Sequence, residues 1–385
     1  MKTRIHSIDI ARGLIMIIMT LDHTRDFLHI PGPSPVNMQT TTVILFFTRW
    51  ITHFCAPTFV FLSGVSAFLA GQRRTRGELS LFLVKRGFWL ILSDMLIISL
   101  LFTFDPGYHV IVLEVLWAIG FGMILLAALI RLPLRAIAAI GILILFGHNL
   151  LDNVSIPQDT FLGGLATVFL TAAGSIIPLG GGRIVAELYA VLPWAAPMFL
   201  GYAFGSLYKA DYNSDSRKRI LLVSGISLTL LFVALRLINH YGNPVPWSVQ
   251  RNAAHTFLSF LNTTKQPPSL LYFCMTLGPL LIFLSFAERW QNRITEICRV
   301  YGNVPYFYFI VHLCLLRAIN VFLVVIQGIP IKFTGFPLVW QAENFGYPLW
   351  AVYLFWLLIV TLLYFPCKWY GTYKKTHNNW WLSYL

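Results

Sequence analysis

Residues 7–29 read SIDIARGLIMIIMTLDHTRDFLH. The centre of this stretch is apolar over about 20 residues, the length a helix needs to cross a hydrocarbon core. It nevertheless carries Asp9, Arg12, Asp22, His23, Arg25 and Asp26. A charged side chain at the centre of a bilayer costs about 2.5–3.5 kcal/mol or more, so a chain that keeps several there has a use for them. No small-residue cleavage site closes the run, so it does not read as a signal peptide. It reads as a membrane helix with chemistry built into it.

The rest of the chain agrees. Of 385 residues, 57% are hydrophobic and 11% charged, and the mean hydropathy is +0.71. So little polar surface cannot cover so much apolar side chain in water, whereas lipid can solvate the outside of a helix bundle. Apolar runs of spanning length recur at 8–28, 43–70, 82–104, 109–130, 133–150, 186–208, 220–239, 270–287, 301–327 and 347–367. They are too long for barrel strands and lack strict alternation. The expected fold is an all-α polytopic membrane bundle of about ten transmembrane helices, a single domain over 1–385 with its motifs concentrated in about 1–130. Residues 161–179, FLGGLATVFLTAAGSIIPL, would also pass as a span, but counting them inverts the charge pattern downstream. Glycines and Pro178 suit a re-entrant or interfacial segment there.

Threading the ten runs from a cytoplasmic N-terminus puts 19 of the 28 basic residues in cytoplasmic segments. Arg183, Arg251, Lys265 and Lys332 fall outside, and Arg12, Arg25, Arg49, Arg236 and Arg317 fall within spans. This is the positive-inside pattern, with both termini cytoplasmic. Basic loops against anionic lipid account for the net charge of +13 without nucleic acid.

On the first helix Asp9 and Arg12 are three apart and can pair. His23 lies eleven residues beyond Arg12, about 16 Å along the same face. Asp22 and Asp26 are its neighbours and are expected to hold or polarise the ring. The second run supplies Arg49, His53 and a Ser63–Gly64 step suited to close helix packing. The ninth run, GNVPYFYFIVHLCLL, supplies Asn303, Tyr306 and His312 as candidate substrate contacts. Asp94, Glu114, His148 and Asp152 are further buried or interfacial polar groups. The five cysteines are scattered, without metal-site spacing, and are expected to be small buried hydrophobes; no metal is expected.

An arginine followed eleven residues later by a histidine, opening with SIDIARG, resembles the first helix of the transmembrane acyltransferase superfamily. THFCAPTFVFLSGVSAFL at 52–69 and the basic stretch after it resemble the heparan-α-glucosaminide N-acetyltransferase group within it. So do LNTTKQPPSLLYFCMTLGP at 261–279 and the ending NNWWLSYL, as in compact bacterial members. The resemblance implies a ten-helix bundle in a bacterial inner membrane. It also implies acetyl-CoA (or another acyl-CoA) entering from the cytoplasm and a sugar or glycan acceptor from the other side. Arg12 and His23 match the superfamily's functional pair. Arg73 and Arg76 have the spacing of its CoA-binding arginines, with Arg74, Lys85 and Arg86 equally eligible. Lysosomal relatives place their working histidine further along, where the nearest counterpart is His29.

Acyl transfer from a thioester needs a base for the acceptor proton, and neutral imidazole suits that role. Direct transfer with His23 as base is one mechanism, and an acetyl-histidine relay is another. The tetrahedral oxyanion needs a donor, for which an arginine, Asn303, Tyr306 or backbone N–H groups are open choices. Two non-enzymatic readings stand beside these. Intramembrane Asp, Arg and His also fit a proton-coupled secondary transporter, though no repeat relates the two halves. A membrane scaffold would not need so many ionisable groups in its first two spans.

Overall fold

The computed structural model describes residues 5–154, 161–171, 175–330, 342, 345–377, 379 and 382. Lys2, Arg4, Lys332 and most of the NNWWLSYL ending lie outside them. Helix α1 (His6–Leu28) is followed by α2 (Val43–Trp50) and α3 (Cys55–Gly71), joined through a 3-10 turn into one rod. Next come α4 (Arg76–Ser93), α5 (Ser99–Thr103), α6 (Val115–Leu129), α7 (Leu134–Gly147) and the short α8 (Phe161–Ala166). The remainder is α9 (Val191–Phe204), α10 (Ser214–Ile238), α11 (Ala253–Leu261), α12 (Leu270–Ala287), α13 (Arg293–Gly302), α14 (Pro305–Ile326) and α15 (Leu349–Thr376).

Among the described residues six helical stretches are long and apolar enough to cross a membrane: Val43–Gly71, Leu134–Asp152, Ser214–Ile238, Leu270–Ala287, Pro305–Ile326 and Leu349–Thr376. Their outward faces carry bare apolar side chains such as Leu143 (71% exposed) and Phe365 (68%), a surface that lipid covers and water would not. The helices begin where loop side chains satisfy their first N–H groups. Thr75 and Glu78 form a capping box on α4, Asn292 and Thr295 one on α13, and Ser269 caps α12 through Tyr272 N.

Paired glycines set the tightest contacts. A Cβ on Gly64 would lie 2.0 Å from Met198 O, and one on Gly201 2.0 Å from Phe61 O, so α3 and α9 meet backbone to backbone. Gly13 and Gly302 do the same for α1 and α13, where added Cβ atoms would lie 1.7 Å from Cys298 O and 1.9 Å from Asp9 O. Lipid gives no hydrophobic drive between helices, so such close backbone packing is what holds them. Cys55, Cys274, Cys298 and Cys367 are buried and Cys314 is exposed; all five are free thiols.

The all-α expectation needs one correction. The chain is mostly helical, but β1 (Val110–Leu113), β2 (Ser175–Gly180) and β3 (Arg183–Glu187) form a sheet in the order β1-β3-β2. β1 runs parallel to β3, and β2 pairs antiparallel to it through Gly180, Gly181 and Gly182, all at positive φ. Within 161–179 the described residues divide into α8, a π turn at Thr167–Thr171 and β2. Each strand is six residues or shorter and lies inside or beside an apolar run, so hydropathy alone hides it. β3 ends on Glu187, which is fully buried and has no partner for either carboxyl oxygen among the described residues. Burial pushes its pKa up to about 8.

Candidate functional site

Arg12 stands where three elements meet. It pairs with Asp9 at 3.2 Å and donates to Gly302 O at 3.1 Å and Ser66 Oγ at 3.0 Å. The glycine contact between α1 and α13 is what brings the Gly302 carbonyl within its reach. Thus fixed, Arg12 lines two cavities. The larger, about 1590 Å³, also carries Arg73, Arg74, Lys209, Arg217 and Lys375. One of its acids, Glu288, is engaged by Arg217 in a bidentate pair at 2.8 and 2.7 Å, and another, Glu78, serves the α4 cap. The wall therefore keeps an excess of positive charge, suited to anionic phosphates. The smaller cavity, about 100 Å³, is a narrow channel past Arg12, Met16, Met19, Arg86, Tyr306 and Phe309. The Tyr306 hydroxyl shares a hydrogen bond with Ser93 Oγ at 2.6 Å, which fixes the ring in the channel wall.

His23 lies one helical turn past Met19 and against the ring of Phe309, two residues that line this channel, though His23 itself is not part of the lining. Its ring meets Phe309 with centroids 6.1 Å apart and Phe102 at 5.3 Å. Its Nδ1 is 2.7 Å from Nε2 of His312, and His312 Nδ1 is 3.0 Å from the Tyr308 carbonyl. A carbonyl only accepts, so His312 Nδ1–H donates to it. Nε2 of the neutral His312 ring is then an acceptor, and His23 must donate from Nδ1–H. The lone pair of His23 therefore sits on Nε2, which has no hydrogen-bond partner among the described residues and is not sealed from solvent. That arrangement is a neutral imidazole oriented as a proton acceptor by a second ring.

The other candidate residues divide. Asp22 does not touch the His23 ring: it is bound by Arg49 at 2.6 Å and Arg25 at 2.9 Å, and Asp26 pairs with Arg25 at 2.5 Å. His312, foreseen as a substrate contact, is the ring that orients His23. His29 ends α1 and lines a separate cavity of about 380 Å³ at the far end of that helix, with Arg25 and Asp26. His53 is buried against Tyr272, with its Nδ1 unpartnered among the described residues. Arg73 lines the large cavity and Arg86 the channel; Arg76 instead donates to the Arg131 carbonyl at 3.0 Å, and Lys85 is exposed outside both linings. Tyr306 is a channel residue, whereas Asn303 forms the C-cap of α13 and lines neither. Sequence reasoning passed over Lys209 and Lys375, whose only signal was membership of basic loops, and Ser66 and Gly302, which hold Arg12.

The family profile described as heparan-alpha-glucosaminide N-acetyltransferase, catalytic, matches residues 4–234. That span contains α1 and most of the residues that line the channel and the basic cavity; Pro305, Tyr306 and Phe309 of the channel, and His312, lie beyond it. No curated protein matches the chain.

Proposed function

The chain belongs to the heparan-alpha-glucosaminide N-acetyltransferase catalytic family, and from that premise we propose that it acetylates a sugar or glycan with cytoplasmic acetyl-CoA. It is a multi-pass membrane transferase. The observation that carries the finer reading is the line of features along α1. A basic cavity large enough for a nucleotide and a small, largely apolar one share Arg12, and the second reaches Met19 and Phe309, whose ring lies against that of His23. The CoA phosphates lie among Arg73, Arg74, Lys209 and Lys375, and the pantetheine arm follows the channel. The acceptor arrives from the opposite side. Ten spans with both termini cytoplasmic, in a bacterial inner membrane, complete this reading.

In the reaction the acceptor O–H or N–H attacks the thioester carbonyl as its proton passes to His23 Nε2. The tetrahedral intermediate collapses with cleavage of the C–S bond, and the CoA thiolate takes the proton back from the imidazolium. His312 keeps the lone pair on Nε2 and stabilises the cation formed there, as a buried partner does for a catalytic histidine.

The test is incubation of purified protein with radiolabelled acetyl-CoA, with and without a panel of glycans. His23→Ala is expected to abolish transfer while acetyl-CoA binding and folding persist. His29→Ala and His53→Ala are the controls. Normal single-turnover transfer by His23→Ala, with loss in His29→Ala, would move the base to the far end of α1.

A further inference from the structure

Arg236 is a costly residue that the proposed chemistry leaves unused. It lies near the end of α10 and is buried. A guanidinium inside a span costs about 2.5–3.5 kcal/mol or more. Its nitrogens donate to the carbonyls of Phe260 at 2.8 Å, Val245 at 3.2 Å, Ser259 at 2.8 Å and Asn262 at 2.6 Å. Those carbonyls belong to the segment that follows α10 and to the end of α11, so one side chain fixes how both stand against α10. Trp247 is clamped beside it. Its indole N–H donates to the Arg236 carbonyl at 2.8 Å, and its backbone exchanges hydrogen bonds with the Asn239 side chain at 3.0 and 2.9 Å.

These bonds frame a groove of about 480 Å³ between α10 and α11. α11 turns Ala253, Thr256, Phe257 and Phe260 towards it, the i, i+3, i+4, i+7 face of a helix. Leu237, Trp247 and Val249 complete the apolar wall, and Leu237, Val249 and Phe257 are exposed, so the groove opens outward where lipid covers the bundle. The polar groups in the lining are already engaged. Thr256 Oγ1 donates to Asn252 O at 3.0 Å and accepts from Gln250 N at 2.9 Å, Asn252 caps α11, and Gln250 Nε2 donates to Ser248 Oγ at 2.8 Å. Nothing in the groove asks for a polar ligand. Arg251, exposed, stands in sequence between the lining residues Gln250 and Asn252. Its guanidinium donates to Gln39 O at 3.4 Å, Thr41 O at 3.2 Å and His255 Nε2, which uses three of its five N–H donors among the described residues. Thr41 in turn lines the cavity that holds Asp26 and His29 at the far end of α1. The 250–252 segment therefore has the groove on one side and, through Thr41, that cavity on the other.

We infer that this groove seats the hydrocarbon chain of a single-chain lipid phosphate, with the phosphate at Arg251 and a sugar carried on that phosphate towards the far end of α1. The volume lies in the range of about 300–1,000 Å³ that a site for one small ligand occupies. One apolar groove and one guanidinium match one chain and one phosphate; a diacyl phospholipid brings a second chain. Arginine suits the phosphate because its remaining donors can meet two oxygens. The groove lies at the end of α10 away from Arg217, Lys218 and Arg219, the face on which the acceptor is proposed to arrive. That the carried sugar is the acetyl acceptor rests on the acyltransferase reading; the binding of chain and phosphate does not.

The experiment photolabels the full-length protein in phosphatidylcholine nanodiscs with a diazirine-bearing farnesyl phosphate and maps the adduct by peptide mass spectrometry. Farnesyl phosphate, farnesol and dioleoylphosphatidylglycerol are the competitors. Labelling is expected within 237–260. Farnesyl phosphate should displace the label about tenfold or more better than farnesol, which forgoes a hydrogen bond to a charged group. Phosphatidylglycerol should compete poorly. Arg251→Gln should remove the advantage of the phosphate over the alcohol. Ala253→Phe, which fills the groove from an exposed position, should abolish labelling, and acetyl-CoA affinity should stay unchanged in both variants. Adducts elsewhere on the wild type, or equal competition by farnesol or by phosphatidylglycerol, overturn the proposal without any variant having to fold. Acetylation of free glucose as efficiently as of glucosyl farnesyl phosphate overturns the delivery role. Binding of glucosyl farnesyl phosphate in the groove, with no acetyl transfer to it or to any glycan, would instead reject the acyltransferase reading and leave the lipid site standing.

Discussion

Replacing His312 by Phe removes the acceptor of the His23 Nδ1–H while keeping an aromatic ring against Tyr308 and Phe309. In the native arrangement that bond, 2.7 Å long, commits the lone pair to Nε2. Without it, a ring that keeps its proton on Nδ1 strands a buried donor, at a cost of about 1–3 kcal/mol. The other tautomer, with the proton on Nε2, escapes this penalty but has no lone pair to offer the acceptor. The reactive tautomer then falls by roughly 5- to 150-fold, since each 1.4 kcal/mol is a factor of ten. Single-turnover acetyl transfer, followed by rapid quench at saturating acetyl-CoA, should slow by that factor. His312→Gln, whose amide oxygen can accept from Nδ1–H, should recover much of it. Acetyl-CoA affinity should not change in either variant. A wild-type transfer rate in His312→Phe would refute the argument, and parallel loss of acetyl-CoA binding would make His312 a packing residue only.

Three further outcomes follow from the geometry. Arg73→Ala combined with Lys209→Ala should raise the acetyl-CoA Kd by about tenfold or more and flatten its salt dependence, whereas Arg76→Ala, bound to the Arg131 carbonyl, should leave it near wild type; calorimetry at two ionic strengths reads both. Glu187 keeps its proton in the folded chain up to about pH 8, while the unfolded chain releases it near 4.5. Stability from this group is therefore undiminished below pH 4.5 and falls as pH rises towards 8, by roughly 5 kcal/mol at most, so Glu187→Gln should raise Tm at pH 9 and not at pH 4. Gly302→Ala drives a methyl into the Asp9 carbonyl, a backbone atom that cannot step aside; about 1–3 kcal/mol of overpacking should appear as a lower Tm together with weaker acetyl-CoA binding, because Arg12 loses its carbonyl partner.

Much of this was legible in the chain itself. The first helix, its Asp9–Arg12 pair and the distance from Arg12 to His23 follow from helical spacing, which a membrane span obeys closely. What spacing could not supply was the partner across the bundle. Asp22 is adjacent to His23 in sequence and so projects from another side of α1, where Arg49 takes it; His312 comes from α14, 289 residues away. The remaining intramembrane arginines were legible as anomalies but not as answers. Arg236 donates to the carbonyls of Val245, Ser259, Phe260 and Asn262 around the end of α11, and Arg317 to those of Leu101 and Phe102 at the end of α5. Each closes a helix that stops short inside the bundle, where water cannot solvate the last carbonyls. The sheet escaped notice because its strands are too short for a period to declare itself.

The row of groups behind His23 ends on the Tyr308 carbonyl, which can hold a hydrogen bond but cannot take up a proton. A proton that arrives at Nε2 can therefore leave only through Nε2. On the proposed mechanism His23 hands its proton back to the leaving thiolate in front of it, and the free energy of the thioester drives the acetyl group onto its acceptor.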